Sequence, residues 1–165
     1  ALVAGADFTR PMLTLFRRKL PPRAGAGPRV VLMEADSLVL PLRDSLFDVV
    51  SVAFGLRNLD DPAAGLREMA RVARPGGRVV VLDFCPRLRP RLHNRLFDWA
   101  FRHVITPAAG LISGHREAYR YLPESVGRFP SREELGQHME SAGLRVAVSR
   151  DLTGGIAALV IGVKQ

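Results

Sequence analysis

The run Val49-Val50-Ser51-Val52-Ala53-Phe54-Gly55-Leu56-Arg57-Asn58-Leu59-Asp60-Asp61 decides the fold. Its first five residues are β-branched or small and read as a buried strand. Gly55 then turns the chain, and an Arg-Asn pair follows where a strand tip would stand. Open α/β sheets bind their ligands at the C-terminal tips of strands, so this is a ligand loop on a sheet of that kind.

The neighbouring segments fit the same architecture. Leu2 to Ala6 reads as a buried strand ending at Asp7, and Asp48 to Ala53 as another. A helix follows, capped at Thr9 or Arg10, with Pro11 in its first turn and Leu13, Phe16 and Leu20 on one face. Pro21-Pro22 stops it, and the linker to Pro28 leads into a strand over 29–33. Asp61 is placed to cap a helix that opens with Pro62 and carries the apolar stripe Leu66, Met69, Ala70 and Ala73. Pro75-Gly76-Gly77 breaks the chain before a strand over 78–83. Near the end, Ser131 and Glu134 form a capping-box pattern for a helix with Leu135, Met139 and Ala142 inward, closed by Gly143. Two strands, 144–149 and 156–163, complete the chain as an antiparallel edge pair on a mostly parallel sheet.

Composition narrows the class. The chain has 165 residues, 47% of them hydrophobic, which suits one domain with a core. No apolar run is long enough to span a bilayer. One cysteine, Cys85, excludes an internal disulfide and favours a reducing compartment, so the expected location is cytoplasmic. The net charge of +8 is concentrated: residues 87–128 hold 8 Arg against 3 acids. Neither a nucleic-acid reader motif nor a basic stripe with aromatic platforms accompanies it, and no nucleic-acid partner is expected. His93, His103, His115 and His138 lack metal-ligand spacing, so no metal is expected.

Several words in the chain go further than its periodicity. They are Leu40-Pro41-Leu42-Arg43-Asp44-Ser45-Leu46-Phe47-Asp48, Phe54-Gly55-Leu56-Arg57-Asn58, Arg71-Val72-Ala73-Arg74-Pro75-Gly76-Gly77-Arg78, Tyr119-Arg120-Tyr121-Leu122-Pro123-Glu124-Ser125, and Asp151-Leu152-Thr153-Gly154-Gly155-Ile156. Together they resemble the ubiquinone/menaquinone biosynthesis C-methyltransferase family of class I S-adenosylmethionine-dependent methyltransferases. The resemblance implies a Rossmann-like α/β fold, S-adenosyl-L-methionine as cofactor and a lipid quinol as substrate. It also implies a strand with a glycine-rich turn before Ala1, lying between the strands at 2–6 and 48–53. On that reading the chain is the C-terminal two-thirds of a complete domain, unless another chain supplies the strand.

Residue roles carry over from the resemblance one by one. Asp7 falls on the acid that accepts the cofactor's ribose hydroxyls; a bare turn Asp capping the next helix is the plainer alternative. Asp36 and Ser37 fall on the pair at the adenine end, where an Asx turn explains the same residues. Ala53 and Phe54 would floor the sulfonium centre. Arg57 would stabilise a developing phenolate, with Asn58 bonding the same oxygen or a water. The competing role for Arg57 is a surface pair with Asp60 or Asp61.

Residues 87–129 read as a helical cover over the substrate. Phe97, Trp99, Phe101, Ile105 and Leu111 interleaved with Arg91, Arg95 and Arg102 suit peripheral contact with the inner face of a membrane. An ordinary amphipathic helix packed on the domain fits them equally. A homo-oligomer is a further expected partner. The alternatives are a non-catalytic binding or assembly module of quinone biosynthesis, and a methyltransferase for another small molecule.

Overall fold

The computed structural model describes residues 2–20, 29–86 and 125–165. In chain order they form β1 (Leu2–Asp7), α1 (Arg10–Lys19), β2 (Arg29–Glu34), β3 (Phe47–Ala53), a 3-10 turn (Leu56–Asn58), α2 (Pro62–Val72) and β4 (Ala73–Phe84). After 125–128, which is helical, come α3 (Arg132–Ser141), β5 (Leu144–Leu152) and β6 (Ala157–Lys164). The substrate cover expected over 87–129 falls mostly outside the described residues, as do Tyr119 and Tyr121.

The strands divide into two sheets. β1 and β2 pair in parallel from Leu2↔Arg29 to Asp7↔Glu34. The second sheet has the order β3-β4-β6-β5, with β3 and β4 parallel and β6 antiparallel to both of its neighbours. The expected mixed α/β sheet with an antiparallel end is therefore present, in two pieces. The division falls between β1 and β3, where the resemblance implies a further strand.

That division corrects one expectation. Leu2 to Ala6 and Asp48 to Ala53 read as buried strands, yet Leu2 is 54% exposed, Val3 47% and Val49 55%. Each strand has a hydrogen-bonded neighbour on one side only, so its apolar side chains lack cover there. Where two strands do meet closely, the sequence makes room. A Cβ on Gly5 would stand 2.9 Å from Leu32 Cδ2, which explains a glycine inside a strand.

The core lies in the larger sheet. α2 and α3 touch each other and the sheet, and Leu56, Leu66, Met69, Val79, Val81 and Leu135 are among the side chains they bury. The helix ends follow the sequence rules. Asp61 accepts from Ala64 N at 2.9 Å, and Ser131 and Glu134 form the reciprocal capping box. Gly143 takes the left-handed φ of +80° that ends α3. At α1 the cap differs from expectation: Thr9 is the N-cap, but its side chain makes no cap bond. Asp7 Oδ1 instead accepts from Thr9 N at 2.7 Å.

Pro75-Gly76-Gly77 does not separate helix from strand as expected. β4 already begins at Ala73 and carries these residues through an irregularity opposite Phe47 and Val49. The reason is steric. A Cβ on Gly77 would lie 2.7 Å from Arg74 O and 3.0 Å from Phe47 O, so only glycine lets the backbones approach. The C-terminus of α2 is tied down at the same place. Ser45 N and Leu46 N donate to Arg71 O and Val72 O at 2.9 and 2.8 Å, and Lys164 Nζ donates to Arg71 O and Ala73 O at 3.2 and 2.8 Å. A lysine on the last carbonyls of a helix satisfies free acceptors and complements the helix dipole.

Candidate active site

β1 and β3 face one continuous space of about 900 Å3 along their whole length, from Leu2 to Asp7 and from Phe47 to Ala53, and the loops at their C-terminal tips line its end. Asp7, Ser37, Ala53 and Asn58 all line it. Asp7 is half-buried at the end of β1. Its Oδ1 is used by Thr9 N, and its Oδ2 has no partner among the described residues. Asp36 is exposed, and its Oδ1 accepts from Leu38 N at 2.8 Å. That Asx turn keeps Asp36 out of the cavity lining while presenting Ser37 to it.

The loop carrying Asp36 and Ser37 is held by a clamp from α2. Arg71 donates to Glu68 at 2.7 and 2.8 Å, to the carbonyls of Leu40 and Leu42 at 3.1 and 2.8 Å, and to Asp44. Glu68 in turn accepts from Leu40 N at 2.7 Å. The Arg71 hydrogen bonds, with help from Leu40 N, hold the Glu68 carboxyl below its ordinary pKa, and the two carboxylates raise that of Arg71.

At the tip of β3 the backbone reverses sharply. Phe54 adopts φ +55°, a left-handed conformation uncommon for a bulky residue. Phe54 N is fixed by Leu82 O at 2.8 Å, and Leu56, 1% exposed, anchors the turn in the core. Such a strained turn is frequent at functional sites, where surrounding contacts over-determine it. It points the sequence Arg57-Asn58 back along the strand ends. Asn58 Nδ2 donates to Phe54 O at 3.5 Å, a loose contact.

Arg57 is only 12% exposed, and its partner is Asp83, fully buried at the end of β4. Arg57 Nη1 donates to Asp83 Oδ1 at 2.7 Å and to Phe54 O at 2.6 Å, while Arg57 N donates to Asp83 Oδ2 at 3.2 Å. Phe84 N donates to Asp83 Oδ1 at 2.8 Å. The guanidinium carbon stands 5.4 Å from the centre of the Phe84 ring, which lies 4.8 Å from the Phe54 ring. Arg57 Nε is buried and has no hydrogen-bond partner among the described residues. Nη2 likewise makes no hydrogen bond among the described residues. A buried cation is thus fixed through Nη1, with its other donors uncommitted.

This arrangement replaces the alternative in which Arg57 pairs with Asp60 or Asp61. Asp61 caps α2 and lies 3.5 Å from Arg67. Sequence reasoning missed Asp83 and Phe84. The signal was there: Asp83 ends the apolar run Val79-Val80-Val81-Leu82, and a carboxylate in a buried strand must find a cation or several donors. Cys85, next along, is buried, and burial first of all pushes its thiol up to about 12, so it stays protonated and unreactive at neutral pH.

A family model described as the ubiE/COQ5 methyltransferase family matches residues 1–164. The chain belongs to that family. It is 46% identical over 162 residues to a demethylmenaquinone methyltransferase of Thermus thermophilus, covering 98% of this chain and 71% of the relative. A ubiquinone/menaquinone biosynthesis C-methyltransferase of Geobacter sulfurreducens is 42% identical, with 98% and 62% covered. The chain therefore spans roughly two-thirds of the length of the ubiE/COQ5 relatives it matches. Among solved structures, a SAM-dependent methyltransferase from Aquifex aeolicus superposes with a TM-score of 0.61 at 19% identity, covering 99% of this chain and 69% of that one. That likeness establishes the Rossmann-like class I fold. The methyl donor of the family is S-adenosyl-L-methionine, and the cavity residues suit it: Asp7 Oδ2 is a free carboxylate oxygen for a diol, and Ser37 adds a hydroxyl.

Proposed function

We propose that this chain carries the chemistry of an S-adenosyl-L-methionine-dependent C-methyltransferase acting on the demethylated quinol ring of menaquinone or ubiquinone synthesis. The names of the two relatives support the substrate class. The observation that carries the reading is the guanidinium of Arg57, held through Nη1 by Asp83 and Phe54 O, with Nη2 making no hydrogen bond among the described residues. A guanidinium N–H left without an acceptor is suited to an anionic oxygen. A phenolate oxygen is such an acceptor.

The bound cofactor supplies an electrophilic methyl group. The quinol ring carbon would become nucleophilic when its phenolic oxygen gives its proton to a water bonded by Asn58. Arg57 lowers the cost of that charge, and Asn58 offers a second donor to the same oxygen. As the new carbon–carbon bond forms, the sulfur–methyl bond breaks, and the ring proton then leaves to water. No covalent enzyme intermediate is required, so alignment carries the remaining acceleration. In this scheme Asp7 holds the ribose and Ser37 the adenine end. Ala53 is small enough to leave space beneath the reacting centre, with Phe54 beside it. Asp36 stands with Ser37 at the adenine end, its Oδ1 also accepting from Leu38 N. A quinol with a long apolar tail places the reaction at a membrane face, and residues 87–129 supply that contact. No helix among the described residues is long and apolar enough to cross a membrane.

The test uses the full chain, S-adenosylmethionine with a deuterated methyl group, and demethylated menaquinol in liposomes. Mass spectrometry should find one labelled methyl on the ring carbon. Label on RNA or protein, with none on the quinol, rejects the proposal.

A further inference from the structure

Asp83 is the most completely buried charged side chain among the described residues, and the phenolate scheme above does not use it. A carboxylate with no exposure is costly unless donors surround it. Asp83 has three: Arg57 Nη1, Arg57 N and Phe84 N, at 2.7, 3.2 and 2.8 Å. Two come from one residue, Arg57, so the carboxylate grips both the backbone and the head group of that arginine. Phe54 O takes the second bond of Nη1 at 2.6 Å, and the Phe84 ring lies against the guanidinium. An arginine in a loop ordinarily samples many rotamers, and fixing it costs side-chain entropy. Here that cost is met within the fold, before any substrate arrives.

We propose that Asp83 is a positioning residue: its buried carboxylate, reaching from the end of β4, locks the Arg57 guanidinium through Nη1 and leaves Nη2 for the substrate's ring oxygen. Asp83 touches neither cofactor nor reacting atoms. It acts through Arg57, and the inference rests on the reading of Arg57 given above. The arrangement also accounts for the strained Phe54, whose left-handed backbone presents its carbonyl to Nη1. Ground-state binding of the ring needs little of this order. The developing oxyanion needs all of it, because misplacement of a catalytic group by about 1 Å can cost on the order of a hundredfold.

The test is a double-mutant cycle in the full chain with demethylated menaquinol. Asp83→Asn, which keeps shape and removes charge, should lower kcat by roughly tenfold to a hundredfold. KM for the quinol and affinity for S-adenosylmethionine should hold within a few-fold. Asp83→Glu should restore most of the loss, because it returns the carboxylate. In an Arg57→Ala background, Asp83→Asn should have no further effect on kcat. Nitrogen NMR of the folded chain gives a readout apart from turnover: the Arg57 Nη groups should exchange slowly with Asp83 present and rotate freely in Asp83→Asn. Free rotation in the unaltered chain overturns the proposal even if Asp83→Asn fails to fold. Slow turnover by Arg57→Ala with normal turnover by Asp83→Asn, or equal losses in both backgrounds, overturns the positioning role alone. Normal turnover by Arg57→Ala overturns the phenolate reading and this inference with it.

Discussion

Asp7 ends β1 and Arg57 sits in the turn that follows β3 of the other sheet, and that separation predicts separable defects. Arg57→Ala in the full chain should lower turnover on the order of a hundredfold, the scale of one lost electrostatic donor. S-adenosylmethionine affinity should barely change. Arg57→Lys should recover only part, since an ammonium cannot bond Asp83 and Phe54 O while offering further donors in a plane. Asp7→Ala should do the reverse: weaker cofactor binding by calorimetry, with turnover recovered at saturation. Equal damage to both quantities by either variant would contradict this division. Arg57 could be singled out from sequence because an Arg-Asn pair follows a strand and a glycine. Asp83 could not be linked to it, since the two are 26 positions apart with a helix between them, and only the fold places the two strand tips side by side.

Helices and turns here were easier to read than strand edges. The caps at Asp61 and Ser131 are local hydrogen bonds between residues three apart, so the sequence contains both partners. The Gly77 irregularity depends on Phe47, thirty positions away, and a turn signal was all that the local sequence showed. Its consequence is testable. Gly77→Ala puts a methyl group against two backbone carbonyls that cannot swing aside, and should destabilise by roughly 1–3 kcal/mol in urea unfolding. The clamp between α2 and the Asp36–Ser37 loop predicts a pH dependence. The pKa of Glu68 is lower folded than unfolded, chiefly through its bonds from Arg71. The stability it contributes is complete above the ordinary glutamate value of 4.5 and is lost as pH falls through the folded value. Thermal melts of the parent chain should therefore fall more steeply below pH 4.5 than those of Glu68→Gln. Parallel pH profiles would remove the clamp from the account.

Across the whole molecule the core is unevenly distributed. Val79, Val81, Leu135, Met139 and Val160 are wholly or almost wholly buried, whereas α1 buries no residue fully and β1 pairs with β2 alone. Hydrogen exchange should then be slowest at the amides of β4 and β6, each paired on both sides. The β1–α1–β2 piece should exchange faster by orders of magnitude, as segments with few buried contacts do. Uniform protection across both sheets would contradict this. The division of the sheet also bears on how affinity itself should be understood. Asp7 belongs to the lightly anchored side of the cavity, Ala53 and Asn58 to the firmly anchored side, and Ser37 to the loop that the α2 clamp ties to the latter. A ligand that touches both sides can bind tightly only to molecules in which the two are docked, so its measured dissociation constant is the intrinsic one divided by the docked fraction. Occupancy then works as a non-covalent cross-link. S-adenosylmethionine at a hundred times its dissociation constant would add about 2.7 kcal/mol to the cost of undocking, and should slow exchange in β1 far more than in β6.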